Sequence, residues 1–301
     1  MISLVKILKT ITEGGNVFSN SDYDAQDIEL GNIPSTLKNF VIDLGKLFPN
    51  KKSTFNSLND KSNWLGSTGR KPKSGDVDIA YPSEYFFKNG KADTAGWGID
   101  DGEYNSLYEK NKKAARSASD EQIQLKSIIQ LIVKKINAAG GNVYASDKAS
   151  GAGSIHFSYP QFDSTGNRLD LRAQLDLDIG DMDWLKFRYN SELPEDDPNI
   201  KGLHRGQLML AMFAVLGYTF KSGKGFIRKE TGEIIADKPE SSLKVFNSEY
   251  KPKQPLTLDI INNYNKLMEY IKTNLTSEEQ TKIVDLFKEA LRRANAYVPN
   301  I

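Results

Sequence analysis

The stretch WLGSTGRKPKSGDVDIA, residues 64–80, decides how the chain is read. It sets Gly66-Ser67 directly after two apolar residues. A basic, glycine-broken loop follows, then two aspartates one residue apart, Asp76 and Asp78, inside an apolar run. Residues i and i+2 of a strand share a face. A strand DVDIAY therefore projects Asp76 and Asp78 together and sends Val77 and Ile79 into the core. Two carboxylates at that range repel unless a cation lies between them. Asp-x-Asp alone also fits a solvated strand face, and Gly66-Ser67 is what shifts the balance. A glycine after an apolar strand lets a ligand approach the backbone, and exposed amides favour phosphate. Ser67 adds a hydroxyl. One short unit thus offers a phosphate grip and a divalent-metal grip, the pairing that phosphoryl or nucleotidyl transfer requires.

Composition narrows the remaining chemistry. The 301 residues contain no cysteine and only two histidines, His156 and His204. That excludes disulfides, thiolate nucleophiles and cysteine-bound metal, and leaves little for a histidine zinc site or a Ser-His-Asp triad. Carboxylates remain, and hard oxygen ligands suit magnesium or manganese. Lys plus Arg (40) balances Asp plus Glu (39), which argues against coating long nucleic acid by charge alone. A local basic groove stays compatible with it. No apolar run reaches the roughly 20 residues that span a bilayer. MISLVKILKTITEGG carries lysines within its apolar stretch and reads as an amphipathic helix rather than a signal peptide. A cysteine-free, membrane-free chain fits a cytoplasmic location.

Outward from the opening stretch, PSTLKNFVIDLGKLF has apolar residues at helical spacing, with Ser35 or Thr36 as its cap. SNWLGS reads as a short strand ending in a turn. Residues 82–118, rich in Gly, Asn, Lys and Ser, read as a long excursion from the core. SDEQIQLKSIIQLIVKKINAAGG is a helix with a Ser119/Gln122 capping box and a Gly140-Gly141 stop. GSIHFSYP alternates as a strand. NRLDLRAQLDLDIGD places Leu169, Leu171, Ala173, Leu175, Leu177 and Ile179 on one face and Asp170, Asp176 and Asp178 on the other. NSELPEDDPNIKG is a polar, proline-flanked connector and marks a domain boundary. Beyond it come an apolar helix, HRGQLMLAMFAVLGY, and one or two small hairpins. Two closing helices follow, TLDIINNYNKLMEYIKTNL and TSEEQTKIVDLFKEALRRANAY, the second with a Thr276/Glu279 capping box.

Leu65-Gly66-Ser67, an eight-residue gap and Asp76-Val77-Asp78-Ile79 resemble the signature of the DNA polymerase beta-like nucleotidyltransferase superfamily. The resemblance covers roughly residues 55–190. It implies an α+β fold with a mixed sheet and helices, two magnesium (or manganese) ions held by three carboxylates, and a nucleoside triphosphate gripped by Gly66 and Ser67. It implies a third carboxylate on a neighbouring strand. Asp176 fits best from its QLDL context, with Asp178 the alternative on the same face. The 98-residue interval from Asp78 to Asp176 is longer than in minimal members.

The expected architecture is a core over 1–190, with a helical N-terminal segment and an insert at 82–150, and then a mainly helical C-terminal domain over 200–301 with a small hairpin. The expected reaction moves NMP from an NTP to an acceptor hydroxyl, releasing pyrophosphate. The acceptor is an RNA or tRNA 3′ end, a protein or a small molecule. The alternative is a non-catalytic nucleotide-binding protein on the same fold.

Weaker signals have two readings each. Arg70, Lys71 and Lys73 either screen the triphosphate or form a solvated loop. The resemblance implies a basic residue behind the nucleotide from His204-Arg205, against a plain helix-start contact. Lys221, Lys224, Arg228 and Lys229 either hold acceptor phosphates or form a surface turn. Trp97 either stacks a base or anchors a loop. His156 reads as structural.

Overall fold

The computed structural model describes residues 17–116, 118–192, 197, 199–221 and 225–301. The helix expected in MISLVKILKTITEGG lies outside them. The described chain falls into two compact units, 17–182 and 183–301.

The first unit runs β1 (Ile28–Glu29), α1 (Ile33–Leu47), α2 (Lys52–Phe55), β2 (Lys73–Ser74), β3 (Asp76–Pro82), β4 (Phe87–Lys88), β5 (Lys91–Ala92) and α3 (Thr94–Trp97). It continues through α4 (Asp101–Ala114), α5 (Asp120–Ala139), β6 (Tyr144–Ala145), β7 (Ser154–Phe162) and β8 (Arg168–Gly180). The main sheet is mixed, in the order β3-β8-β7-β6. β3 runs parallel to β8, while β8–β7 and β7–β6 are antiparallel.

The period-two pattern decides which face is dry. Val77, Ile79 and Tyr81 of β3 and Ala173, Leu175, Leu177 and Ile179 of β8 share a core with Ile155 and Phe157 of β7. Phe40 and Leu44 of α1 and Ile128 and Ile132 of α5 close that core. Each such fully buried large side chain contributes about 1.5–3 kcal/mol. Asp76, Asp78, His156, Gln174 and Asp176 fall on the opposite parity.

Several local expectations are corrected. SNWLGS is not a strand. Asp60 accepts from the Ser62 N–H and starts a 3-10 turn over Lys61–Asn63. Trp64 then makes a lone antiparallel bridge to Ile79. Asn32, not Ser35 or Thr36, precedes α1, with Pro34 in the first turn. The Thr36 hydroxyl instead accepts the Phe162 N–H at 2.9 Å, tying α1 to the end of β7.

The 82–118 region is built rather than looped out. It holds the β4-β5 hairpin, α3 and α4. Asp93 and Asp100 cap the two helices through the Gly96 and Glu103 N–H groups. α4 docks on α5 partly through polar groups, with Asn111 donating to Ser127 and Gln130. The Leu169-Leu171 end of β8 is exposed at Leu171 (44%): β7 pairs as far as Arg168, with a register shift between Pro160 and Phe162, but β3 joins β8 only from Gln174 onward. The Ser119/Gln122 capping box and the Gly140 stop of α5 are present.

The second unit begins within α6 (Met182–Tyr189) and continues through α7 (Gly202–Val215), β9 (Tyr218–Lys221), β10 (Gly225–Arg228) and α8 (Pro239–Tyr250). α9 (Leu258–Asn262), α10 (Tyr264–Asn274) and α11 (Ser277–Arg293) complete it. α7 is buried along nearly its whole length. Phe213 packs closely on Phe226 of the β9-β10 hairpin, with tilted rings whose centroids are 4.0 Å apart. Trp184 and Phe187 of α6 pack edge-on against Phe226.

The helix expected over TLDIINNYNKLMEYIKTNL breaks at Asn263. That residue turns extended, and its side chain accepts from Lys266 to start α10. No described helix is long and apolar enough to cross a membrane.

Candidate metal centre

Parallel pairing assembles the site. The β3–β8 register sets Asp78 opposite Asp176 and Asp76 opposite Gln174. Asp76, Asp78 and Asp176 each offer a carboxylate oxygen, and these atoms all lie within 4.8 Å of one another. Asp176 is buried and the other two are half-buried. Asp178 lies two residues further along β8, opposite Ala80, and is outside this group. Asp170 is exposed at the far end of the strand.

The 64–70 loop is fastened to the same strand. The Leu65 N–H donates to the Asp78 carbonyl (2.9 Å). The Asp78 N–H donates to the buried Thr68 hydroxyl (2.8 Å). Gly66 has φ +57, and a Cβ there would stand 3.0 Å from Asp78 Oδ2. A side chain at 66 would therefore press on the carboxylate as well as strain the backbone. Gly69 (φ +73) lies so close to the Trp64 ring that a Cβ would come within 2.6 Å. Ser67 sits in this turn, half-buried.

Thr68 and Gln174, to which sequence reasoning gave no role, and His156, which it read as structural, complete the surroundings. Gln174 donates to Asp176 Oδ2 (2.8 Å) and accepts the Val17 N–H on its own carbonyl (3.0 Å). His156 faces Asp176 across the antiparallel β7–β8 pair. Its Nδ1 lies 2.9 Å from Asp176 Oδ1, and its Nε2 lies 2.9 Å from the Ser154 hydroxyl. The Nδ1–Oδ1 approach is within ion-pair range, and neither buried atom has another partner. Burial opposes a charge on His156, but the carboxylates of Asp176, Asp178 and Asp76 outweigh it and raise its pKa. Alternation had placed His156 on the polar face, and only the strand order could say which carboxylate it meets.

Converging carboxylates repel. A buried carboxylate oxygen left without a partner costs about 1–3 kcal/mol or more. Both features suit a divalent cation, and the all-oxygen donor set suits magnesium or manganese.

The remaining expected site residues make the following contacts. Lys73 is exposed on β2, with Asp27 and Glu29 at 3.8 and 4.0 Å. Arg70 is exposed and lines a pocket of about 430 Å3 with Lys61 and Trp64. His204 and Arg205 lie in the second unit, where their side chains serve that unit's own fold. His204 Nδ1 accepts the Lys201 N–H (3.0 Å) and Nε2 meets the Tyr297 carbonyl (2.8 Å). Burial lowers its pKa, in keeping with a neutral ring. Arg205 is fully buried and donates to the Ser191 hydroxyl and the Arg188 and Asn190 carbonyls. Burial, with the Arg188 charge adding, pushes it down to about 9.

In the basic hairpin, Arg228 pairs with Glu249 and Glu233. Lys229 donates to the Ala214 carbonyl. Lys224 and the Lys221 side chain lie outside the described residues. Trp97 is a core anchor, stacked on Phe86 with its N–H on the Tyr85 carbonyl.

No protein-family model matches the sequence, and a search of curated proteins finds no similar sequence.

Proposed function

We propose that this protein is a divalent-metal-dependent nucleotidyltransferase. Its 17–182 unit would be a nucleotidyltransferase-type core, followed by a mainly helical C-terminal domain. One observation carries the reading: strand register brings three carboxylates from β3 and β8 together beside a left-handed Gly66 in a Gly-Ser turn. Magnesium or manganese bound by Asp76, Asp78 and Asp176 would neutralise phosphate charge and acidify the attacking hydroxyl.

The chain's own residues supply position. Gly66 gives the turn its left-handed angle beside Asp78, and Ser67 would offer its hydroxyl and amide to the triphosphate. Thr68 locks the strand end that carries Asp78. An acceptor hydroxyl oxygen attacks the α-phosphorus, its proton leaves toward the Asp176 carboxylate, and the bond to the bridging oxygen breaks to release pyrophosphate. Holding these groups in place accounts for much of the rate in such reactions. The acceptor is an RNA 3′ end, a protein side chain or a small molecule.

The test is pyrophosphate release from ATP, CTP, GTP or UTP with magnesium or manganese and a cell extract. Release is expected from the native chain and abolished in Asp78→Ala. The melting temperature of that variant should stay level or rise without metal, since carboxylate repulsion is relieved. Metal-dependent nucleotide binding with no release would transfer the reading to a non-catalytic nucleotide-binding protein.

A further inference from the structure

The third carboxylate is approached on both oxygens by side chains that the proposed reaction does not otherwise use. Gln174 holds Oδ2 from the adjacent same-face position on β8 (2.8 Å). The Val17 N–H on Gln174 Oε1 fixes which end of that amide faces the aspartate, because the oxygen is already engaged as an acceptor. His156 stands at Oδ1 from the facing strand (2.9 Å), itself braced through Nε2 by Ser154 (2.9 Å). The order Ser154, His156, Asp176, Gln174, Val17 N–H is a continuous polar line across the sheet face.

Buried polar atoms nearly always find hydrogen-bond partners. Here His156 Nδ1 and Asp176 Oδ1 lie side by side at 2.9 Å, and neither has any other partner. Nothing in the hydrophobic core requires a histidine at 156, whose strand neighbours Ile155 and Phe157 supply the apolar contacts.

We infer that His156 is a positioning residue for the metal centre: its Nδ1 orients Asp176 as a ligand. This rests on reading Asp76, Asp78 and Asp176 as that centre. Groups that hold a ligating carboxylate fix its rotamer before the cation arrives, and removing them typically weakens metal affinity about 10- to 100-fold. Gln174 restrains the same carboxylate from the other side, so His156 sets the oxygen that Gln174 leaves unheld.

The geometry dictates which substitutions matter. An asparagine amide nitrogen occupies nearly the place of histidine Nδ1, whereas a glutamine nitrogen reaches the place of Nε2 and so addresses Ser154. The experiment is a Mn2+ titration of the full chain without nucleotide, followed by the loss of free-Mn2+ electron paramagnetic resonance signal. Melting temperature is recorded for every variant. His156→Leu is expected to weaken Mn2+ binding about 10- to 100-fold. His156→Asn should remain near the native affinity, and His156→Gln should behave like the leucine variant.

Native affinity in a folded His156→Leu protein would overturn the assignment. So would equal losses in all three variants, accompanied by equally lowered melting temperatures, since that is a purely structural effect. Asp78→Ala separates the two levels of the argument. If the native chain binds no Mn2+, or Asp78→Ala binds it as well as the native chain does, the metal-centre reading falls and the role of His156 falls with it. If Asp78→Ala loses binding while His156→Leu does not, only the role of His156 falls.

Discussion

Gly66 shows how much one backbone angle can decide. Its left-handed φ brings the chain against the Asp78 carboxylate, where a methyl group would stand 3.0 Å from Oδ2. Gly66→Ala is therefore expected to lose roughly 1–2 kcal/mol from the left-handed backbone. It should also weaken Mn2+ binding by displacing Asp78. Denaturant unfolding and a Mn2+ titration read the two effects separately. Thr68→Val, which leaves the Asp78 N–H without its acceptor, should cost about 1–3 kcal/mol, while Thr68→Ser should restore it. Unfolding midpoints of the pair check this. At this scale Gly66, Asp76 and Asp78 were legible, because a period of two fixes a shared face within one strand. Asp176 against Asp178 was not, since both have the same parity. The QLDL context favoured Asp176 by resemblance, and the pairing of Asp78 with Asp176 supplies the physical reason. Thr68 and His156 gave no sequence signal beyond being polar.

Elements declared themselves where their ends carry side-chain caps and their faces are apolar. Both capping boxes read from sequence are present, Ser119 with Gln122 and Thr276 with Glu279. Thr276→Ala should lower stability by about 1 kcal/mol, measured as a shift of the thermal midpoint. α4 was illegible for the opposite reason. Its sequence DGEYNSLYEKNKKA has almost no apolar stripe, and it meets α5 through the buried amide of Asn111. Hydrophobic periodicity cannot report a polar contact. The break at Asn263 was equally hidden, because the apolar spacing of α9 and α10 runs on while the asparagine caps a new start. Leu169 and Leu171 had the right parity, but β3 joins β8 only from Gln174 onward and Leu171 is exposed.

For the whole molecule, composition had bounded the chemistry to carboxylates, and alternation had indicated a sheet with helices. The mixed strand order required long-range pairing that no local pattern contains. One contribution to acid stability lies in the second unit, where Glu249 accepts from Arg228 and Tyr218. The Arg228 guanidinium beside it is the main reason its pKa is held down to about 2, from an ordinary 4.5. A carboxylate depressed in the folded state adds stability that is complete above its unfolded pKa and is lost as pH falls through the folded one. Stability should therefore decline between about pH 4.5 and 2, and Glu249→Gln should flatten that slope. Solvent screening keeps the effect modest at this partly exposed pair. Urea unfolding across that range is the check. The parallel pairing of β3 with β8 has a further consequence, in time rather than space. Asp76 and Asp78 leave the ribosome before their partner strand exists. At about 5–20 residues per second, on the order of ten seconds pass before Asp176 is made. Until then the nascent chain carries two of the three carboxylates, and a product terminated before β8 lacks the third.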